Sequence, residues 1–329
     1  MISSDCGQEA PAASDNVLGR AAEPNARDRI SLPALIPYRK GKKWGFCDTD
    51  WNLVIPAVYD RAELFSDGLA QVELKRKCGF VNTKGDLVVP AIYDGASDFN
   101  EGLAPVTLDG KYGYVNTTGA LVLPAIYEDA ESFSDGLAQV ELKGKYGCIN
   151  TRGALVVPTI YDHIDCFTAV YAVVRLDGKY GFVDTEGTLV VPAIYEGAES
   201  FSEGLARVQP SSSAYFVEAA LDGPPAHTEY KYGYIDIKGN VAIPATYDGA
   251  GSFSDGLAPV SIEHCVSDDH SRSSEFKMGF IDTAGDLVIP AIYDWDSDSS
   301  FSEGLALVRL DKYGPWGYIG TKGTQYWED

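Results

Sequence analysis

The chain has 329 residues, with 48 acidic against 26 basic side chains, a formal net charge of −22 and a pI near 4.4. A field of that sign repels nucleic acid and anionic membranes and favours solubility, and no stretch approaches the roughly 18 apolar residues that a membrane span requires. Twenty Tyr and 34 Gly against two Met suit strands and tight turns better than helices.

Residues 1–30 are polar and rich in Ala, Ser, Asp and Glu, with no apolar h-region and no basic start. They are expected to be a disordered leader rather than a signal peptide. As written, the chain is expected in the cytoplasm, or outside it if the N-terminus is incomplete. Residues 31–329 form the folded region.

Self-comparison organises that region. An aromatic-Gly-aromatic core recurs as Trp44-Gly45-Phe46, Tyr112-Gly113-Tyr114, Tyr180-Gly181-Phe182, Tyr232-Gly233-Tyr234 and Trp316-Gly317-Tyr318. Altered copies surround Gly79, Gly147 and Gly279, which makes eight cores. The first five glycines are spaced by 34 residues, and the later gaps are 52, 46 and 38. Between cores the text Pro-Ala-Ile-Tyr-Asp/Glu returns, as at Pro90 to Asp94, followed by Phe-Ser-Asp/Glu-Gly-Leu-Ala-x-Val, as at Phe133 to Val140.

One unit reads as three strands. Leu137 to Leu142 alternates apolar and polar residues, the mark of a half-buried strand. Lys143-Gly144-Lys145 is a tight turn, and Tyr146 to Asn150 is the second strand. Asn150-Thr151-Arg152-Gly153 suits a type I turn or its bulged hairpin variant. Ala154 to Val157 is the third strand, closed by Pro158, which has no N–H for a ladder. The stretch to Phe167 is a return loop with room for a short fourth strand. A glycine inside a strand implies a bulge or a close approach of backbone, and places the flanking aromatics in the packing between repeats.

The core followed by Asp/Asn-Thr-x-Gly and Pro-Ala-x-Tyr-Asp resembles the bacterial WG-repeat family, also called KWG repeats, over about Pro37 to Tyr326. The resemblance implies an all-β repeat protein that mediates interactions and supplies no catalytic residues. The sequence departs from that pattern in places. Only Trp44 and Trp316 keep the core tryptophan, Trp51 replaces a turn glycine, and Phe167-Thr168-Ala169 loses the acid and glycine of its turn. The expected fold is an all-β tandem array of three-stranded antiparallel units, an open twisted stack in preference to a closed β-propeller. Seven complete units are expected, opened by a partial copy near Pro33 to Lys43 and ended by a truncated one from Thr321.

Rows of equivalent residues are the place to look for chemistry. Lysines such as Lys43, Lys77, Lys111 and Lys145 precede the core glycine by two positions, and acids such as Asp60, Asp94, Glu128 and Asp162 follow the repeat tyrosine. A third row contains Asp67, Glu101, Asp135, Glu203, Asp255 and Glu303. These read as inter-repeat ion pairs and turn formers; an anionic groove for a cationic ligand or Ca²⁺ is the alternative, though no calcium loop is present.

The six cysteines form no CxxC pair, and Cys78 and Cys148, which stand at aromatic positions, read as buried reduced thiols. Insertions near 209–229 and 263–275 fall in the same hairpin turn of successive repeats and emerge on one face, as surface loops or as a binding face. Tyr215, Phe216 and His227 in the first, and His264 and His270 in the second, are the candidate binding residues. His264-Cys265 with Asp268, Asp269 and His270 matches no zinc spacing, and no phosphate loop or nucleophile elbow is present. No metal, cofactor or catalytic residue is assigned. The expected function is a non-catalytic scaffold for a protein partner, with glycan or cell-wall binding through exposed rings as the alternative and a hydrolase after that.

Overall fold

Within a sheet of this protein the strands follow chain order, and outside the 210–231 connection of sheet 6 each is joined to the next by a turn or loop too short to cross another strand. The computed structural model describes residues 34–211, 231–268, 271–294 and 299–328. The leader lies outside them. The described residues form eight antiparallel sheets, numbered here in chain order: sheet 1 (36–59), sheet 2 (61–93), sheet 3 (95–127), sheet 4 (129–161), sheet 5 (163–195), sheet 6 (197–247), sheet 7 (249–294) and sheet 8 (305–320).

Sheet 3 shows the plan. A two-residue leading strand, Gly95–Ala96, pairs with Leu103–Leu108, which pairs with Lys111–Asn116, which pairs with the trailing strand Leu121–Tyr127. The return segment, expected as a loop with space for a short strand, therefore opens the next sheet and makes sheets 2–7 four-stranded. Sheet 1 has three strands and sheet 8 has two. From sheet 1 to sheet 7 one residue, Asp94 or its equivalent, carries the chain across, and the Asp94 N–H already donates to Thr107 O at 2.8 Å.

Each hairpin uses the turn its residues demand. Asp109 and Gly110, at φ +50° and +75°, form a two-residue turn with both residues left-handed, the primed geometry that matches strand twist. Lys143-Gly144 and Asp177-Gly178 do the same, whereas Lys75-Arg76 reaches φ +54° and +64° without a glycine. The acid-Gly pairs of the Phe-Ser-Asp/Glu-Gly segment are also left-handed, Asp135 at +50° and Gly136 at +79°. At the other end of the sheet Asn116 Oδ1 accepts the N–H groups of Thr118 and Ala120, and Gly119 at φ +86° completes a bulged turn.

The core glycine is covered by its own sheet. Tyr112 pairs with Tyr127 and Tyr114 with Leu123, so Gly113 faces the three bulged residues Pro124, Ala125 and Ile126, and the backbone from Leu123 O to Ala125 N crosses it. A Cβ on Gly113 would stand 2.6 Å from Leu123 O and 2.7 Å from Ala125 N. Both contacts are backbone, so neither can swing away. In sheet 8, where no such strand follows, the Trp327 ring lies over Gly317 instead.

The central strand buries both faces. Val115 packs back against sheet 2 with Phe99, Ala104 and Val106, while Tyr114 packs forward against sheet 4 with Leu123 and Tyr127. The second aromatic of each core meets the phenylalanine of the following repeat. Ring centroids are 4.8 Å apart for Phe46–Phe65 and Phe80–Phe99, 5.0 Å for Tyr114–Phe133 and Phe280–Phe301, 4.6 Å for Phe182–Phe201 and 4.9 Å for Tyr234–Phe253. Such a pair adds about 0.5–1.5 kcal/mol to the roughly 1.5–3 kcal/mol from burying each ring. Seven apolar clusters each join one sheet to the next. None of them joins sheet 8 to sheet 1, so among the described residues the array is an open stack and not a closed ring.

Ion pairs fasten the same seams. Lys43, Lys77 and Lys145 reach Asp60, Asp94 and Asp162 at 2.5 Å, Lys111 reaches Glu128 at 2.8 Å, and Lys179 and Lys231 pair with Glu196 and Asp248. The second carboxylate oxygen accepts a backbone N–H from the hairpin turn of the following sheet, Lys75 for Asp60 and Lys143 for Glu128. The seventh copy breaks the rule: Asp294 pairs with Arg309, and Lys277 with Glu275. The third row also crosses seams, since Glu101 accepts Gly136 N–H, Glu203 accepts Gly256 N–H and Asp255 accepts Gly304 N–H. The donated hydrogen bond from lysine, first among the causes, holds the carboxyls of Asp60, Asp94, Glu128 and Asp162 below the usual range.

Gly113→Ala should lower stability by about 3 kcal/mol, because overpacking here meets backbone, and thermal unfolding followed by circular dichroism will read it. Arg76→Gly should raise stability by about 0.5–1 kcal/mol by relieving a left-handed non-glycine residue. The acids' depressed folded-state pKa places their stabilising effect above the ordinary carboxylate pKa of about 4, to be lost as pH falls through the depressed value. The midpoint difference between the wild type and a Lys77→Met, Lys111→Met, Lys145→Met variant should therefore be present at pH 7 and vanish in strong acid. A difference that persists in acid would assign the effect to packing of the lysine stems.

Candidate interaction surface

The trailing strand of each of sheets 1–7 is an edge, and it carries apolar side chains that stay exposed among the described residues. The first row contains Leu53, Leu87, Leu121, Leu155, Leu189, Val241 and Leu287. The second row is Val58, Ile92, Ile126, Ile160, Ile194 and Ile292, where Ile92, Ile126, Ile160 and Ile194 are 49, 47, 46 and 54% exposed. In sheet 6 Thr246 takes the equivalent place and is also exposed. Along Leu121–Tyr127, Leu123 and Tyr127 turn into the seam while Leu121, Val122 and Ile126 face solvent. The bulge over Gly113 causes this, since two extra residues let Tyr127 return to its pairing register and leave Ile126 outside. The alternation of the sequence points to a strand here, and only the edge position shows that one side of it is open.

The repeated rings are spent on packing. Phe46, Tyr114, Phe182, Tyr234 and Phe280 are fully buried, and Trp44, Tyr112, Tyr180 and Tyr232 are half-buried. Tyr114 and Tyr234 donate from their hydroxyls to Glu131 O and Gly251 O, both at 2.7 Å, and burial pushes both phenols up. Arg207 lies over the Tyr232 ring at 4.9 Å and Arg309 over Trp316 at 4.7 Å. Among the described residues the exposed rings are Trp51, Phe276, Tyr313, Trp316, Tyr318 and Tyr326. Four of these six gather around sheet 8.

Cys148 takes the buried place that Tyr114 holds one repeat earlier, and burial pushes its thiol up to about 12, so it stays protonated. Cys78 is only half-buried rather than buried, because it stands at the first, outer position of its triplet and accepts a weak bond from Gln71 at 3.7 Å. Burial raises its thiol as well.

The insertion residues fare differently. Tyr215, Phe216, His227 and His270 lie outside the described residues. The second insertion, expected as a loop, is a continuation of its hairpin. Leu257–Asp268 pairs with Ser271–Asp282 without a break from Leu257↔Asp282 to Asp268↔Ser271, and His264 is opposite Glu275 in that ribbon. Strands that have six residues in sheet 3 have twelve here, so the inserted residues are divided equally and the register survives. His163 is on the surface, 2.8 Å from Asp165. Among the described residues no group of three or more His, Cys, Asp or Glu side chains could hold a metal, and no helix is long and apolar enough to cross a membrane.

A cleft of about 510 Å³ opens on the leading-edge side between sheets 2 and 3, lined in part by Glu63, Phe65, Gln71, Ser97 and Asp98. Pattern reading missed it, because its emptiness depends on side-chain volumes across a seam.

Kluyveromyces lactis Hsv2 is 9% identical, with 74% of this chain and 94% of that one covered and a TM-score of 0.28. PorZ, a bacterial surface component of the type-IX secretion system of Porphyromonas gingivalis, is also 9% identical, with 87% and 43% covered and a TM-score of 0.26. Likeness at that level carries no argument about this chain. No curated protein matches it. The family model described as WG containing repeat matches residues 44–78, 79–112, 112–146, 146–180, 180–209, 232–263 and 278–313, each segment spanning one core and the seam that follows, and the chain belongs to that family.

Proposed function

We propose that this protein is a non-catalytic binding scaffold that holds a partner protein along the trailing edges of its sheets. One observation carries the reading: aliphatic side chains are exposed at the same two positions in sheet after sheet. Single exposed Leu or Ile residues are ordinary, but rows of them mark interaction surfaces. Covering them gains about 25 cal/mol per Å², and many weak contacts in register add up along a repeat array.

The chemistry of the edge narrows the partner. Pro56, Pro90 and Pro124 have no N–H, and the bulge disturbs the edge around them, which blocks the addition of a full-length strand in trans. Recognition is then by side-chain contact. The net charge of −22 favours a neutral or basic partner and opposes a second copy of the same chain. Exposed Trp316, Tyr318 and Tyr326 favour a second reading, glycan stacking at sheet 8.

The test replaces Ile92, Ile126 and Ile160 by Glu in one variant and deletes residues 212–230 and 264–274 in another. Since the three side chains are half exposed, the first variant should keep the wild-type far-UV spectrum and melt within about 2–4 °C of it. It should lose the proteins that co-purify with the wild type from its own cells, as quantified by mass spectrometry, while the deletion variant retains them. Unchanged recovery with the glutamate variant sinks the edge reading. Loss only on deletion moves the site to the insertions, and wild-type glycan binding abolished by Tyr318→Ala replaces the protein partner by a sugar.

A further inference from the structure

The seams repeat one geometry with different side chains, so one seam shows what another lacks. Between sheets 6 and 7 the Arg207 guanidinium donates to the Ala250 carbonyl and to the Glu199 carboxylate. It lies 4.9 Å over the Tyr232 ring, and Ser252 Oγ donates to the other Glu199 oxygen at 3.0 Å. The niche holds an internal cation with two acceptors and an aromatic floor.

Counting from Phe65 and Phe99 in place of Phe201 and Phe253, the corresponding positions between sheets 2 and 3 can be read directly. Glu63 stands for Glu199, Ala96 for Ala250 and Asp98 for Ser252, so both acceptors remain and a second carboxylate joins them. Gln71 stands for Arg207 and Cys78 for Tyr232, so the cation and the ring are gone. The shorter Gln71 turns its amide to Cys78 Sγ. What remains is the cleft of about 510 Å³ with Glu63, Gln71 and Asp98 in its lining. Among the described residues Glu63 has one ion-pair contact, to Arg61 at 3.5 Å, in which both side chains are more than half exposed. Solvent screens such a contact, and it yields readily to a better donor. Gln139 repeats the glutamine between sheets 4 and 5, but there Tyr146 supplies the ring and Cys166 stands where Asp98 would be.

We infer that this cleft binds a guanidinium group presented by another molecule, received by Glu63 and the Ala96 carbonyl as Arg207 is received by Glu199 and the Ala250 carbonyl. Asp98 adds a second charge that the internal niche lacks. The planar fork of a guanidinium holds its donors in fixed directions toward two separated acceptors, whereas an ammonium carries three rotatable donors about a point charge. The cleft is on the leading-edge side, away from the aliphatic rows, so this inference and the edge-scaffold reading stand or fall separately.

Titration of the full chain with N-acetylarginine amide, against the neutral isostere N-acetylcitrulline amide, tests it by NMR or calorimetry. Saturable binding of the arginine amide, tighter by about tenfold or more, is expected. Gln71→Arg supplies the missing cation from within and should weaken binding by about tenfold or more while the chain melts no lower than wild type. Glu63→Gln, at an exposed position, should weaken it likewise and carries the test if the arginine variant misfolds. Equal affinity for the two amides, or full affinity in Glu63→Gln, overturns the inference. Within a positive result, a pentapeptide with a central arginine that binds about tenfold tighter than the amide assigns the group to a polypeptide, and equal affinity assigns it to a free small molecule.

Discussion

Every repeat depends on one steric fact: the centre of the aromatic triplet has space for a hydrogen and for nothing larger. Because Gly113 has no side chain, Leu123-Pro124-Ala125 can cross it in a bulge. That bulge brings Tyr127 back opposite Tyr112 and leaves the chain heading out of the sheet at Glu128. There Glu128 takes Lys111 from behind and the turn N–H of Lys143 from ahead. The contact that closes one sheet thus aims the chain into the next.

With the handover fixed, the seam can be assembled from interchangeable parts. Either phenylalanine or tyrosine serves at the buried core position, and a cysteine does at 148, since the neighbouring Phe167, Ile164 and Val174 still close around it. Each sheet touches the sheets beside it, so a change at one seam is felt locally and the rest of the array is undisturbed. The same independence lets hairpins lengthen, as that of sheet 7 does, without disturbing the core.

Positions that the seam does not use are free to serve recognition, and they fall on opposite sides of the sheets. The trailing edges repeat the same aliphatic residues, which suits contact with an extended partner. The leading edges differ from seam to seam. Between sheets 6 and 7 an arginine fills the niche, and between sheets 2 and 3 a glutamine leaves it open. A uniform surface and a cleft at one seam are a consequence of repeats that share backbone geometry and differ in side chains.

Local sequence determined the strands, the turns and the role of the core glycines, because these follow from short-range sterics: left-handed glycines, proline without an N–H, and alternation at period two. It also placed the aromatics between repeats, although the glycine that flags them is covered by the trailing strand of its own sheet. Tertiary structure decided where one sheet ends and the next begins, for Gly95–Ala96 becomes a strand only by pairing with Leu103–Leu108. It decided that Ile126 faces water, although the hydropathy of Pro-Ala-Ile-Tyr is that of a core segment. It decided, too, that the niche at Gln71 is empty, because a cavity is defined by what neighbouring strands fail to fill. Exposure and emptiness belong to the assembled seam, and no single stretch of chain encodes them.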